Sequence, residues 1–266
     1  DSWVGFYSPD DHHTGAVRVL GFEATNAEPD GQAVARAYLR YLARHPATAR
    51  NIARKLCVRF VRDEPSLSHV RAVAKAYTDS GTDIKATLRA LVDHPDFADS
   101  VGAKVRTPSE DAVASYRALD VKAARPTDDG DFAHATAWHT DFMGQRPFDW
   151  PRPDGPPDVA DAWTSAGRML NSWSIHRNLA GGWTSGATYR SFEDWLPPLP
   201  ASLDAVVDHV SRRLLARPAT TALKAAVATH QGMARGHTIA RLDDLGDWRV
   251  DMLLATVLNS PQHMTR

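Results

Sequence analysis

Four consecutive residues near the start of the chain, Asp10, Asp11, His12 and His13, carry two carboxylates and two imidazoles. Oxygen and nitrogen donors of this kind suit zinc, manganese or iron. Neighbouring side chains of an extended segment point to opposite faces, so only alternate members, Asp10 with His12 or Asp11 with His13, can share one ion. Two ligands are too few for a closed site. Further donors must come from elsewhere among the twelve histidines, whose spacing singles out none. The competing reading is a polar surface turn.

Three other groups have the right residue types for chemistry. His134, Trp138 and Asp141, with the loop that carries Trp150, are candidates to line a pocket. His139 is five residues from His134, about 140° around a helix, so the two do not converge. Ser172 and His176 share a helical face at i, i+4 spacing, and with Asp161 they supply the residue types of a hydrolytic triad. No G-x-S-x-G elbow or strand-turn-helix context accompanies them. Arg50, Arg54 and Lys55, with Arg59 and Arg62 nearby, form a candidate anion-binding face. The alternative is pairing with acids of neighbouring helices, where an exposed pair contributes about 1 kcal/mol or less.

These residues must be positioned mostly by helices. Residues 1–30 read as an extended or hairpin segment, with Thr14-Gly15 as turn chemistry and Val17 alternating with Val19. From residue 31 the period becomes helical: Val34, Ala35, Tyr38, Leu39 and Leu42 share one face. Pro46 starts a second helix with Ala49, Ile52, Ala53, Leu56 and Phe60 inward. Ser66 caps a third, which Gly81 ends; Thr82 or Asp83 caps a fourth, stopped at Pro95. Ile52, Leu56, Phe60, Val70, Val73, Leu88 and Leu91 are the expected core of this bundle. Further helices are expected at 107–119, 131–142, 159–178, 202–216, 220–230 and 247–259. The proline-dense stretch 147–158 excludes helix or central strand and reads as a stiff connection anchored by Phe148 and Trp150. The expected division is 1–30, 31–123 and 124–266. An echo at constant spacing links Ile84, Leu88, Leu91, Val92 and Pro95 to Val250, Leu254, Val257, Leu258 and Pro261. Amphipathic helices ending at proline are common enough to give the same pattern without duplication.

Composition narrows the class. A net charge of -1 provides no global field toward nucleic acid. A single cysteine, Cys57, excludes an intramolecular disulfide and any multi-cysteine metal site. No apolar run reaches the roughly 18–20 residues of a membrane-spanning helix.

Several segments in order, HHTG with LGF (residues 12–22), HPATARNIARKL with FVRDEP (45–65), SGTDIKATLRALVDHPDF (80–97), GQRPFDWPRPDGPPDVADAW (144–163) and LLATVLNSPQ (253–262), resemble the bacterial family catalogued as domain of unknown function eighteen-hundred. His13 stands where that family usually has an aspartate, and Val17 replaces an expected lysine. The resemblance implies an all-α fold, here an irregular helical bundle with a short extended N-terminal segment and a proline-rich connecting loop. It also implies that the chain is similar to the C-terminal part of longer members, and an extracytoplasmic setting. It implies no established activity and leaves the cofactor open. The resulting expectation is a helical scaffold or interaction protein that completes a larger assembly with an N-terminal fragment of the same precursor or another protein chain. The crowding of Trp3, Phe6 and Tyr7 motivates that partner. The alternative is an extracytoplasmic metal-dependent hydrolase.

Overall fold

A computed structural model describes residues 7–126, 131–246 and 249–266; Trp3 and Phe6 lie outside the described residues. The chain divides into two compact units, residues 1–100 and 101–266.

In the first unit an antiparallel hairpin pairs β1 (Val17–Val19) with β2 (Phe22–Ala24). Its turn is Leu20-Gly21, both with positive φ, rather than Thr14-Gly15. Phe22 packs against Tyr38 and Tyr41 of α1 (Gln32–Arg44). Helices α2 (Pro46–Phe60), α3 (Leu67–Asp79), α4 (Ile84–Val92) and the short α5 (Pro95–Ala98) follow. Their boundaries are set by local chemistry. Ser66 accepts from His69 N at the start of α3, and Asp83 accepts from Lys85 N and Ala86 N at the start of α4. Pro46 and Pro95 occupy first-turn positions that need no donor.

The core of this unit is built from Ala49, Ala53, Cys57 and Val61, against Val73, Ala74 and Tyr77 of α3 and Leu91 of α4. Small residues at i, i+4 and i+8 let α3 approach α2 closely, so the buried stripe is rotated from the expected one. Ile52, Leu56 and Val70 are half-buried at its margin, whereas Phe60 and Leu88 are exposed. Tyr77 reaches out of the core to donate to the Ala43 carbonyl at 3.0 Å.

The second unit contains α6 (Pro108–Ala118), α7 (Phe132–Phe142), α8 (Ala166–Ala180), α9 (Leu203–Leu215), α10 (Thr221–Gln231), α11 (Arg249–Leu258) and α12 (Pro261–Met264). Two-residue ladders join β3 (Lys122–Ala123) to β4 (Ala187–Thr188), and β5 (Ala201–Ser202) to β6 (Thr238–Ile239). The boundary falls at residue 100 rather than 123, because α6 buries Asp111, Ala112 and Ser115 in this unit. A full capping box, Thr107 with Glu110, starts α6. The core combines Ile175 and Leu179 of α8, Val206, Val207 and Val210 of α9, Val227 of α10, and Leu253, Leu254 and Val257 of α11. Residues 102–106 run antiparallel to residues 264–266: Arg266 N donates to Lys104 O at 2.8 Å and Arg106 N to Met264 O at 2.9 Å.

The proline-rich loop is anchored differently from expectation. Trp150 packs against Trp163, ring centroids 6.4 Å apart, and Trp163 Nε1 donates to Pro157 O at 2.7 Å. Phe148 is fully exposed, at a positive φ of 61° that turns it off the surface. The helix expected from residue 159 begins at Ala166, after a short 3₁₀ turn at Ala160–Ala162.

Candidate functional site

The second unit buries a continuous polar network. Asp111, in the first turn of α6, is held from three directions. Its Oδ1 lies 2.9 Å from His176 Nε2 and 3.5 Å from His263 Nε2, and its Oδ2 accepts from Arg168 at 3.2 Å. Arg168 also donates to Arg106 O at 2.9 Å. On the far side of its ring, His176 Nδ1 meets Asn259 Oδ1 at 2.8 Å, and Ser115 Oγ meets His263 Nε2 at 3.0 Å. Asp111, His176 and His263 are 0%, 1% and 3% exposed. Burial alone would push the Asp111 carboxyl up; the charges and hydrogen bonds of His176, His263 and Arg168 outweigh it and hold it well below the usual carboxylate range. Burial also pushes His263 down, against the opposing pull of Asp111.

A cleft of about 750 Å³ opens beside this network, with His263 in its wall. Arg106, Arg117, Arg213 and Arg217 line it, and among the described residues Glu110 is its one acidic lining residue. Glu110 is itself committed, 3.1 Å from Arg266 and accepting from Thr107 N. The Arg213 guanidinium is engaged over the Trp195 ring, 5.4 Å from its centroid. Arg106 Nε donates to His263 O at 2.6 Å, fixing it between network and cleft. Burial pushes the Arg106 guanidinium down; Asp111 and Glu110 oppose this, and Arg266 and Arg217 add to it. Arg217 enters the wall through a tight turn: Ala216 takes a left-handed φ of 54°, and Ser211 Oγ donates to Arg217 O at 2.9 Å.

The residues singled out in the sequence fall elsewhere, with one exception. Asp10 and Asp11 sit in an exposed 3₁₀ turn. His12 meets Asn26 Oδ1 at 3.0 Å and packs flat on Gly31, where a Cβ would stand 2.0 Å from the ring. Among the described residues, the two sets of three metal-capable side chains are Asp111, His176, His263 and His69, His94, Asp96, so the Asp10–His13 run is not gathered into a site. His134 is exposed, with its N–H capped by Asp131. Trp138 stacks on Phe142 at 5.2 Å, Trp150 goes to Trp163, and Asp141 faces solvent, so these four do not share one pocket. Arg50, Arg54 and Lys55 are exposed on α2. Ser172 Oγ points to Met143 Sδ at 3.3 Å and Asp161 is exposed, so the triad types do not assemble. His176 is the exception, with partners 65 and 83 residues distant in sequence.

Sequence reasoning missed Asp111, Arg168 and His263. The legible hint was two polar residues, Ser172 and His176, on the same stripe of α8 as Ile175 and Leu179. A polar group on a buried stripe demands a partner.

No curated protein and no solved structure matches the chain. A family profile described as "Protein of unknown function (DUF1800)" matches residues 4–265. That match covers nearly the whole of the sequence in which the ordered motifs were read, and the chain belongs to this family.

Proposed function

We propose that the second unit binds an anionic small molecule, one carrying a phosphoryl or sulfuryl group, in the arginine-lined cleft. The observation that carries the reading is the convergence of Arg106, Arg117 and Arg217 on one concavity whose acidic lining residue among the described residues, Glu110, is already paired. Guanidinium forks match the oxygens of such groups, and a volume of about 750 Å³ suits a compact ligand. The alternative expected from the sequence, a metal-dependent hydrolase, would need an activated water beside such a ligand. The only buried titratable cluster bordering the cleft through a lining residue is Asp111, His176 and His263, among the described residues.

Calorimetric titration with sulfate, phosphate and pyrophosphate tests the reading. Binding is expected to weaken about tenfold for each of Arg117→Gln and Arg217→Gln, the loss of one charge-assisted contact. Arg212→Gln, in an exposed pair with Asp208, is expected to leave it unchanged. Equal binding by the wild type and the Arg117→Gln, Arg217→Gln double variant rejects the cleft.

One observation favours a second reading, the helical scaffold that joins another protein chain: Ile84, Leu88 and Val92 form an i, i+4, i+8 stripe on α4, each roughly half exposed. A stoichiometric second chain in the native mass of the purified protein, lost in Leu88→Asp, is its expected signature. A monomeric native mass for the wild type rejects it.

A further inference from the structure

The network behind the cleft has a geometry that hydrogen bonding alone does not require. We propose that Asp111, His176 and His263 form a binding site for one divalent transition-metal ion, zinc by the donor set. Each residue offers one ligand atom, and the three atoms lie within 4.8 Å of one another.

The first support is the tautomer of His176. The Asn259 oxygen 2.8 Å from Nδ1 can only accept, so Nδ1 carries the hydrogen. Nε2, the other ring nitrogen, is then the one directed at Asp111 Oδ1, 2.9 Å away, so the nitrogen that would bind an ion faces the carboxylate. An oxygen partner on the outer nitrogen is also what orients histidine ligands in metal sites.

The second support is the ring geometry. The His176 and His263 centroids are 5.3 Å apart and their planes are inclined at 81°. An ion bound in the ring plane about 2.1 Å from each Nε2 places two imidazole centroids about 5 Å apart at a tetrahedral angle. The first unit provides a control with the same residue types. His69 and His94, beside Asp96, are stacked at 4.1 Å with an interplanar angle of 11°. Nearly parallel planes share no point at bonding distance, so that set cannot hold an ion without rearranging.

The third support is the surroundings. Arg168 occupies Asp111 Oδ2, so the carboxylate presents Oδ1 alone to the site. Two imidazoles and one carboxylate leave a fourth tetrahedral position, the arrangement of open rather than closed zinc sites. Ser115 Oγ lies 3.0 Å from His263 Nε2, and His263 also lines the cleft. The Arg168 guanidinium opposes a cation, so affinity is expected below that of a closed four-ligand site. The inference stands apart from the anion-binding reading, because it is read from bound metal and not from a cleft ligand.

The full chain, stripped with chelator and titrated with Co²⁺, tests it. Expected is a visible absorption band of tetrahedral cobalt that saturates at one equivalent and is displaced by Zn²⁺, with a rise in the thermal midpoint on zinc addition. His263→Gln and His176→Gln are expected to abolish the band, and His94→Gln, in the stacked cluster, to leave it intact. If either of the first two variants fails to fold by circular dichroism, the wild-type titration still decides. A wild-type chain without the band, or a band that survives in folded His263→Gln or disappears in His94→Gln, overturns the proposal.

Discussion

Removing the Arg168 side chain tests whether the buried network is held by its ion pair. Arg168 is 6% exposed and supplies the partner of Asp111 Oδ2 at 3.2 Å and of the Arg106 carbonyl at 2.9 Å. Arg168→Met keeps most of the buried stem and deletes the charge, leaving one carboxylate oxygen without a donor in a fully buried position. Breaking a buried pair in this way costs about 3–5 kcal/mol. His176 and His263 still face Oδ1, so the lower part of that range is expected. For a unit of this size a loss of about 3–4 kcal/mol should lower the thermal midpoint by roughly 6–16 °C. Seven of the eight tryptophans lie in residues 101–266, so tryptophan fluorescence reports this unit almost alone. Denaturation followed by fluorescence, in chelator so that no ion contributes, gives the loss directly. Adding Asp111→Asn to Arg168→Met should recover part of it, with a coupling of about 1–3 kcal/mol. A loss below about 1 kcal/mol for Arg168→Met would mean that the histidines alone balance Asp111, and the account of the network would be wrong.

Ala216→Gly is expected to stabilise the second unit by about 0.5–1 kcal/mol in the same assay, since glycine takes the left-handed φ of 54° without strain. His139 is buried, which pushes its imidazole down from 6.5 to about 4. Its native form is neutral while the unfolded form takes up a proton, so stability is fully present above pH 6.5 and is lost as the pH falls toward 4, by up to about 3 kcal/mol. His139→Gln should flatten that part of the stability–pH profile. In the first unit, burial raises the Cys57 thiol to about 11, with Asp96 adding to it, so alkylation at pH 8 should be slow and limited by opening of the unit. Leu91→Ala should accelerate that alkylation through a loss of about 2–5 kcal/mol, whereas Phe60→Ala, at 46% exposure, should change it little.

Helix existence was legible because its signals are local. Pro46, Ser66, Asp83 and Thr107 each act within one turn, and they start helices where expected. What periodicity could not set was the rotation of each helix about its axis. On α2 the Ala49, Ala53, Cys57 stripe outcompetes Phe60 because close approach of α3 requires small residues, a preference that hydropathy alone does not express. Two-residue ladders such as β3 with β4 are too short to carry a period-two pattern. The site was the least legible part. Asp111 reads as an ordinary first-turn acid of α6 and His263 as a polar residue after a proline, and only tertiary packing brings them within 3.5 Å. His176 was noticed for a triad it does not form. The polar residue on a buried stripe was the true signal, and its partners were non-local.

The antiparallel rungs between residues 102–106 and 264–266 bring the two ends of the second unit side by side. Topologically the unit is a ring closed by hydrogen bonds rather than by a peptide bond. A few glycines joining residue 266 to residue 101 would make that closure covalent, and the exposed Arg152–Asp154 stretch offers a place to reopen it. Such a circular permutant should keep its tryptophan spectrum and cooperative unfolding. It would also release the first unit from the sequence order in which it now stands, so that each unit's stability could be measured by itself.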